Sequence, residues 1–171
     1  MRAFSRSFAV VMIALLLAAC ASSPPNGIVV SQRLDVPPCP QFELRDAGNF
    51  TFDVTAAGDT VDLGDGSRLI FAPGAVTQDT RYWVRYLLKN GTSGPRVAGI
   101  DIERVSGHTG PFSEPVTLRL SYNKCGFTNS GRFYIVRMAP GGTTSEGGSN
   151  SASGQWVEAM LGEFSGFAIA M

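Results

Sequence analysis

The sequence predicts an all-β protein, an antiparallel β-sandwich of about eight to ten short strands. Three observations lead there. The segment Val116, Leu118, Leu120, Tyr122 alternates with Thr117, Arg119 and Ser121, the period of two that marks a strand with one buried face. Twenty glycines and ten prolines in 171 residues, with only 16% charged, describe short elements joined by tight turns rather than long surface helices. Finally, no segment carries a convincing helical period.

The first nineteen residues stand apart. Met1 to Ser7 holds Arg2 and Arg6, and Phe8 to Leu17 is an apolar run ending in small residues before Cys20; this is the order of a secretory signal. A transmembrane helix is the alternative, but spanning a bilayer takes about 20 apolar residues and this run stops short. Leu17-Ala18-Ala19-Cys20 resembles the lipobox of bacterial lipoproteins at every position. The resemblance implies cleavage before Cys20, lipid on its thiol and acylation of the new amine, and so membrane attachment through Cys20. Several acyl chains together anchor stably where one does not. Ala21-Ser22 lacks the Asp that retains such proteins at the inner membrane, so the expected site is the outer membrane, with the domain in the periplasm.

Removing residues 1–19 leaves 12 basic against 14 acidic side chains, a net charge of −2. Nucleic-acid partners call for a concentrated basic face and are not expected. Residues 20–41 contain Ser22-Ser23-Pro24-Pro25 and Pro37-Pro38-Cys39-Pro40, which exclude helix and central strand. They read as a tether, with an arm packed on the domain as the close alternative and Ile28-Val29-Val30 as a possible edge strand.

The folded domain is expected over 42–171. Its strands begin with Phe50, Phe52 and Val54 and continue through Thr60 to Leu63, Arg68 to Phe71, Arg81 to Leu88, Val97 to Val105, Val116 to Tyr122, Arg132 to Met138, Gln155 to Leu161 and Phe164 to Ala170. Asp65-Gly66 between two of them tolerates the positive φ angles of a tight hairpin. Gly141 to Gly154, rich in Gly, Ser and Thr, has little apolar surface and reads as a mobile loop.

Several of these segments together resemble the domain shared by zonula occludens scaffolds, netrin receptors and ankyrins, here called the ZU-type domain. They are Gly58 to Leu63, Ser67 to Val76 with Ala72-Pro73-Gly74-Ala75 at the family's turn, Phe112 to Leu120 with Pro115-Val116, and Gln155-Trp156-Val157 followed by Gly162 to Ala168. Glu163 departs from the His frequent in bacterial members. The resemblance spans roughly 49–171 and implies a β-sandwich that binds proteins or serves as a structural module, with no catalytic centre.

The remaining chemistry is sparse. With Cys20 taken by lipid, Cys39 and Cys125 are expected to form a disulfide in an oxidising compartment, the alternative being a free pair. Two cysteines and one histidine cannot complete a zinc site, and Asp59, Asp62 and Asp65 miss the spacing of a calcium loop, so no metal or cofactor is expected. His108, in a turn-like run, is expected to be solvated. A hydrolase would need it to act with Ser106, Ser113 or Ser165, yet no nucleophile motif is present, and an enzyme is not expected. On the strand Arg81 to Leu88, Tyr82, Val84, Tyr86 and Leu88 face one way and Trp83, Arg85 and Leu87 the other. The second set is the candidate binding surface, because Trp beside Arg is the composition of an interface hot spot; the alternatives are that Trp83 packs under a loop or that this central strand is covered on both sides. An envelope protein is the expected partner, with a glycan or other envelope polymer as the rival.

Overall fold

A computed structural model describes residues 34–89, 94–127, 132–139, 142–151 and 153–171. The signal peptide, Cys20, Ile28-Val29-Val30 and the rest of the tether up to residue 33 lie outside the described residues. Arg33–Met171 forms one compact unit.

The fold is an antiparallel sandwich of eleven strands. They are β1 (Asn49–Val54), β2 (Asp59–Gly64), β3 (Ser67–Phe71), β4 (Thr80–Leu88), β5 (Arg96–Ser106), β6 (Val116–Ser121), β7 (Tyr134–Ala139), β8 (Gly142–Gly147), β9 (Ser149–Ser151), β10 (Trp156–Leu161) and β11 (Gly166–Ala170). One sheet has the order β1-β4-β5-β11-β7-β8 and the other β2-β3-β6-β10-β9. A short 3-10 turn at Arg45–Gly48 leads into β1.

Alternation places the core. Phe50, Phe52 and Val54 of β1, Val84 of β4 and Ile100 and Ile102 of β5 meet Leu69, Leu118, Leu120, Val157 and Leu161 from the other sheet, all buried. Each such side chain contributes roughly 1.5–3 kcal/mol by leaving water. Between β2 and β3, Asp65 and Gly66 have φ of 55° and 84°, so the chain reverses through two left-handed residues as the Asp-Gly pair predicts.

Three expectations are corrected. Gly141 to Gly154 is not a loop throughout: it supplies β8, paired with β7, and β9, paired with β10. Both are outermost strands, held by main-chain hydrogen bonds and polar contacts such as Asn150 Nδ2 to the Phe133 carbonyl at 2.7 Å, so little apolar surface is needed. Residues 34–41 of the expected tether are an arm: Val36 and Cys39 are buried, Asp35 exchanges main-chain hydrogen bonds with Met171, and Pro38 bridges Val97. The arm enters where the end of β11 parts from β5, and it seals a second apolar cluster of Val36, Val97, Val136, Ala168 and Ala170 on the outer face of the larger sheet. Finally, Phe164 and Ser165 precede β11 rather than belonging to it.

Cys39 and Cys125 form a disulfide that ties the arm to the turn after β6. Their separation of 86 residues gives a stabilisation of about 4–5 kcal/mol in the chain-entropy model.

Candidate functional site

The strand lengths build the site. β5 has eleven residues and its neighbour β11 only five. β11 lies against β5 from Gly166 opposite Asp101 onward, and Ile102 N–H donates to the Ser165 carbonyl at 3.2 Å. Before Ser165 the chain turns away through Gly162 to Phe164. The final residues of β5 therefore have β4 on one side and no strand on the other, and β7, paired with β11 up to Met138 opposite Gly166, ends at Ala139.

A groove of about 780 Å³ occupies that gap, within the range of ligand sites. Its floor is aromatic. Phe112 and Phe164 meet edge to face at 4.7 Å between ring centres, and Phe164 meets Tyr82 at 4.9 Å. Burial pushes the Tyr82 phenol up to about 12, so the floor is neutral at physiological pH.

Charge lines the walls, with two carboxylates sharing each of two arginines. Arg85 Nη2 donates to Asp101 at 2.5 Å and to Glu103 at 2.7 Å. Arg137 reaches Glu146 at 2.8 Å and Glu163 at 2.6 Å; these carboxylates raise its pKa against the opposing effect of burial, which is the largest single influence. Arg104, on the inner face with Ile100 and Ile102, has no ion-pair partner among the described residues. Val105 beside it is 57% exposed, one of few large apolar side chains in water.

The expected surface is divided. Trp83 and Arg85 do lie on the outer face of the larger sheet, Arg85 packing over the indole at 4.7 Å and Trp83 Nε1 donating to Asn49 Oδ1. Both are half-buried. Leu87 is not part of an open surface, because it packs on the cluster that the arm covers. The smaller sheet repeats the motif: Arg119 lies 4.0 Å over Trp156 and donates to Glu158 at 2.5 Å, with Met160 alongside at 71% exposure.

His108 is corrected from solvated to buried, with 6% exposure. Its turn folds back so that Thr77 N–H donates to Nδ1 at 3.3 Å, the Thr77 hydroxyl lies 3.0 Å from the same nitrogen, and Nε2 donates to the Pro111 carbonyl at 2.8 Å. Both ring nitrogens are thus occupied, neither by a serine or a carboxylate. The three aspartates of the first hairpin also go separate ways. Asp59 accepts from Thr60 N–H at 2.7 Å, Asp62 accepts from Gly64 N–H at 2.9 Å, and Asp65 pairs with Lys124 at 3.3 Å.

Arg104 and Val105 were not singled out from the sequence. The available signal was the nine-residue span Val97 to Val105 against the shorter closing strand interrupted at Gly162 to Gly166, a mismatch that leaves one strand end without a neighbour.

The fold and groove define a class, a disulfide-tied two-sheet sandwich with an unfilled strand position. The sequence matches no family model and none of the curated proteins at a significant level.

Proposed function

We propose that this chain is a non-enzymatic envelope lipoprotein, held at the outer membrane by lipid on Cys20, whose ZU-type sandwich in the periplasm binds a protein partner or serves as a structural module. The observation that carries the binding reading is the unpaired end of β5 in the groove, since a free strand edge offers main-chain hydrogen bonds that polypeptides satisfy. The rival glycan reading needs bare aromatic faces, whereas Arg85 and Arg119 already lie over Trp83 and Trp156. The engagement of His108 by Thr77 and Pro111 leaves it unsuited to activate a nucleophile.

Two experiments test this reading. Metabolic labelling with a radiolabelled fatty acid is expected to mark the wild type but not Cys20→Ser; label retained in the variant defeats the anchor. Photo-crosslinking in intact envelopes, with the reactive residue placed in turn at Trp83, Val105 and Met160, is expected to yield discrete protein adducts from at least one position. Adducts to polysaccharide alone would turn the assignment to glycan binding.

A further inference from the structure

We propose that the end of the sandwich that holds the groove docks a basic segment of a partner protein, with a lysine or arginine side chain seated in the groove against Phe112 and Phe164 and between Glu103 and Glu163. This deepens the protein-binding reading and rests on it.

The charge of the domain is unevenly placed. At the groove end the strands and their connecting loops carry Asp53, Asp59, Asp79, Glu103, Glu114 and Glu163, all exposed, against Arg81 and Arg104. Arg85 and Arg137 also reach toward this end, but each brings a further carboxylate, Asp101 and Glu146, so the negative excess is unchanged. Asp59, Asp79 and Glu114 have no ion-pair partner among the described residues. At the opposite end of the strands Arg45, Lys89, Arg96, Lys124 and Arg132 meet Asp35, Glu43, Asp46 and Asp65, a slight positive excess. The groove end is thus the negative pole of the domain. Charge of one sign gathered there steers a cationic partner to it and disfavours an anionic one.

The groove gives that field a place to act. Phe112 and Phe164 are only half-buried in its floor, and the Glu103 and Glu163 side chains are 54% and 58% exposed on its walls. A guanidinium or ammonium group is attracted by aromatic faces and carboxylates together, while its alkyl stem packs on the rings. One groove wall already contains this arrangement: Arg137 lies 5.4 Å over Phe167 and reaches both Glu146 and Glu163. Arg104 opposes the occupant, which therefore places its charge toward Glu163.

The arm leaves this end open. β11 starts at Gly166 beside the groove, and Asp35 binds Met171 just past its far end. The Cys39–Cys125 disulfide follows β6 and so lies at the arm's end as well. A partner can approach the negative pole without displacing either.

Selection of a displayed random dodecapeptide library on the detergent-extracted full chain tests the assignment. The expected result is enrichment of peptides carrying lysine or arginine, with binding that weakens as salt rises. Combining Glu103→Gln with Glu163→Gln should lower their affinity by about fivefold or more, and Arg104→Glu should raise it by about fivefold. Glu43→Lys, at the opposite end, should leave it unchanged. Equal thermal melting of these exposed variants and the wild type shows that the fold is intact. A benzophenone placed beside the enriched basic residue should crosslink within residues 103–112 or 162–165. No enrichment, enrichment of acidic or uncharged peptides, no gain with Arg104→Glu, or crosslinks confined to other surfaces overturns the docking site. Envelope crosslinking separates the two levels of the claim. Protein adducts at Trp83 or Met160 with none at Val105 overturn the groove assignment while leaving a protein-binding module, and no protein adduct at any of the three removes both.

Discussion

At the scale of single residues, burial decides which side chains hold the domain and which remain available. His108 joins the loop after β3 to the loop after β5 through Thr77 and Pro111, while its own N–H donates to the Thr80 hydroxyl at 2.9 Å. Replacing the ring leaves buried polar groups without partners, so His108→Ala is expected to lower stability by about 1–3 kcal/mol, read from urea denaturation. A loss below about 0.5 kcal/mol would place the ring outside the stabilising network. Tyr82 gives a pH dependence. The unfolded chain releases a tyrosine proton near pH 10, whereas the folded protein keeps this one to about 12. Its contribution is therefore intact below pH 10 and is lost as pH rises from there toward 12, by about 2–3 kcal/mol. Tyr122, also raised by burial, acts in the same direction. Tyr82→Phe should flatten much of the alkaline fall in the urea midpoint; an unchanged profile would contradict the assignment. Gly48 illustrates close approach: at φ 79° it lies under Tyr86, and an added Cβ would overlap that ring. Tyr86 cannot easily move, since it accepts from Leu44 N–H at 3.1 Å and lies 4.0 Å beneath Arg96.

At the scale of elements, the arm and the disulfide act together. Opening Cys39–Cys125 releases the arm from the turn after β6, leaving Asp35–Met171 and Pro38–Val97 to retain it. Cys39→Ala with Cys125→Ala is expected to lower stability by up to about 4–5 kcal/mol. Hydrogen exchange at Asp35 and Met171 should then accelerate before exchange in β6 and β10; uniform loss of protection would mean that the arm is not a separate element. Most strands were legible because each alternates on a half-buried sheet. β8 and β9 were not: their stability comes from main-chain pairing to β7 and β10, which leaves no apolar period in Gly142 to Ser151. The arm was ambiguous for a related reason. Its prolines exclude regular strand, yet Val36 finds burial on a surface assembled from β5, β7 and β11.

At the scale of the whole molecule, the larger sheet is buried on both sides over part of its area. One side meets the second sheet, and the other meets the arm across Val97, Val136, Ala168 and Ala170. A chain beginning at residue 42, where the sequence alone places the domain boundary, loses Val36 and Cys39 and exposes that cluster. It is expected to be less stable and more prone to associate than a chain beginning at Arg33, as judged by thermal melting and size-exclusion chromatography. Equal behaviour would show that the arm is dispensable.

The sequence by itself determined the fold class, the first hairpin and the inward alternation of the principal strands, since all follow from local periodicity and turn chemistry. On the expectation that Cys20 carries lipid, it also pointed to Cys39 and Cys125 as a pair, the disulfide that the structure contains. Only the tertiary structure decided that Leu87 is covered, that His108 is buried and that Arg104 stands without an ion-pair partner among the described residues. Those properties depend on which segments meet across the sheet. The open slot is likewise a relation between the long β5 and the short β11, set by where the chain turns away at Gly162 to Phe164 rather than by the pattern within either strand.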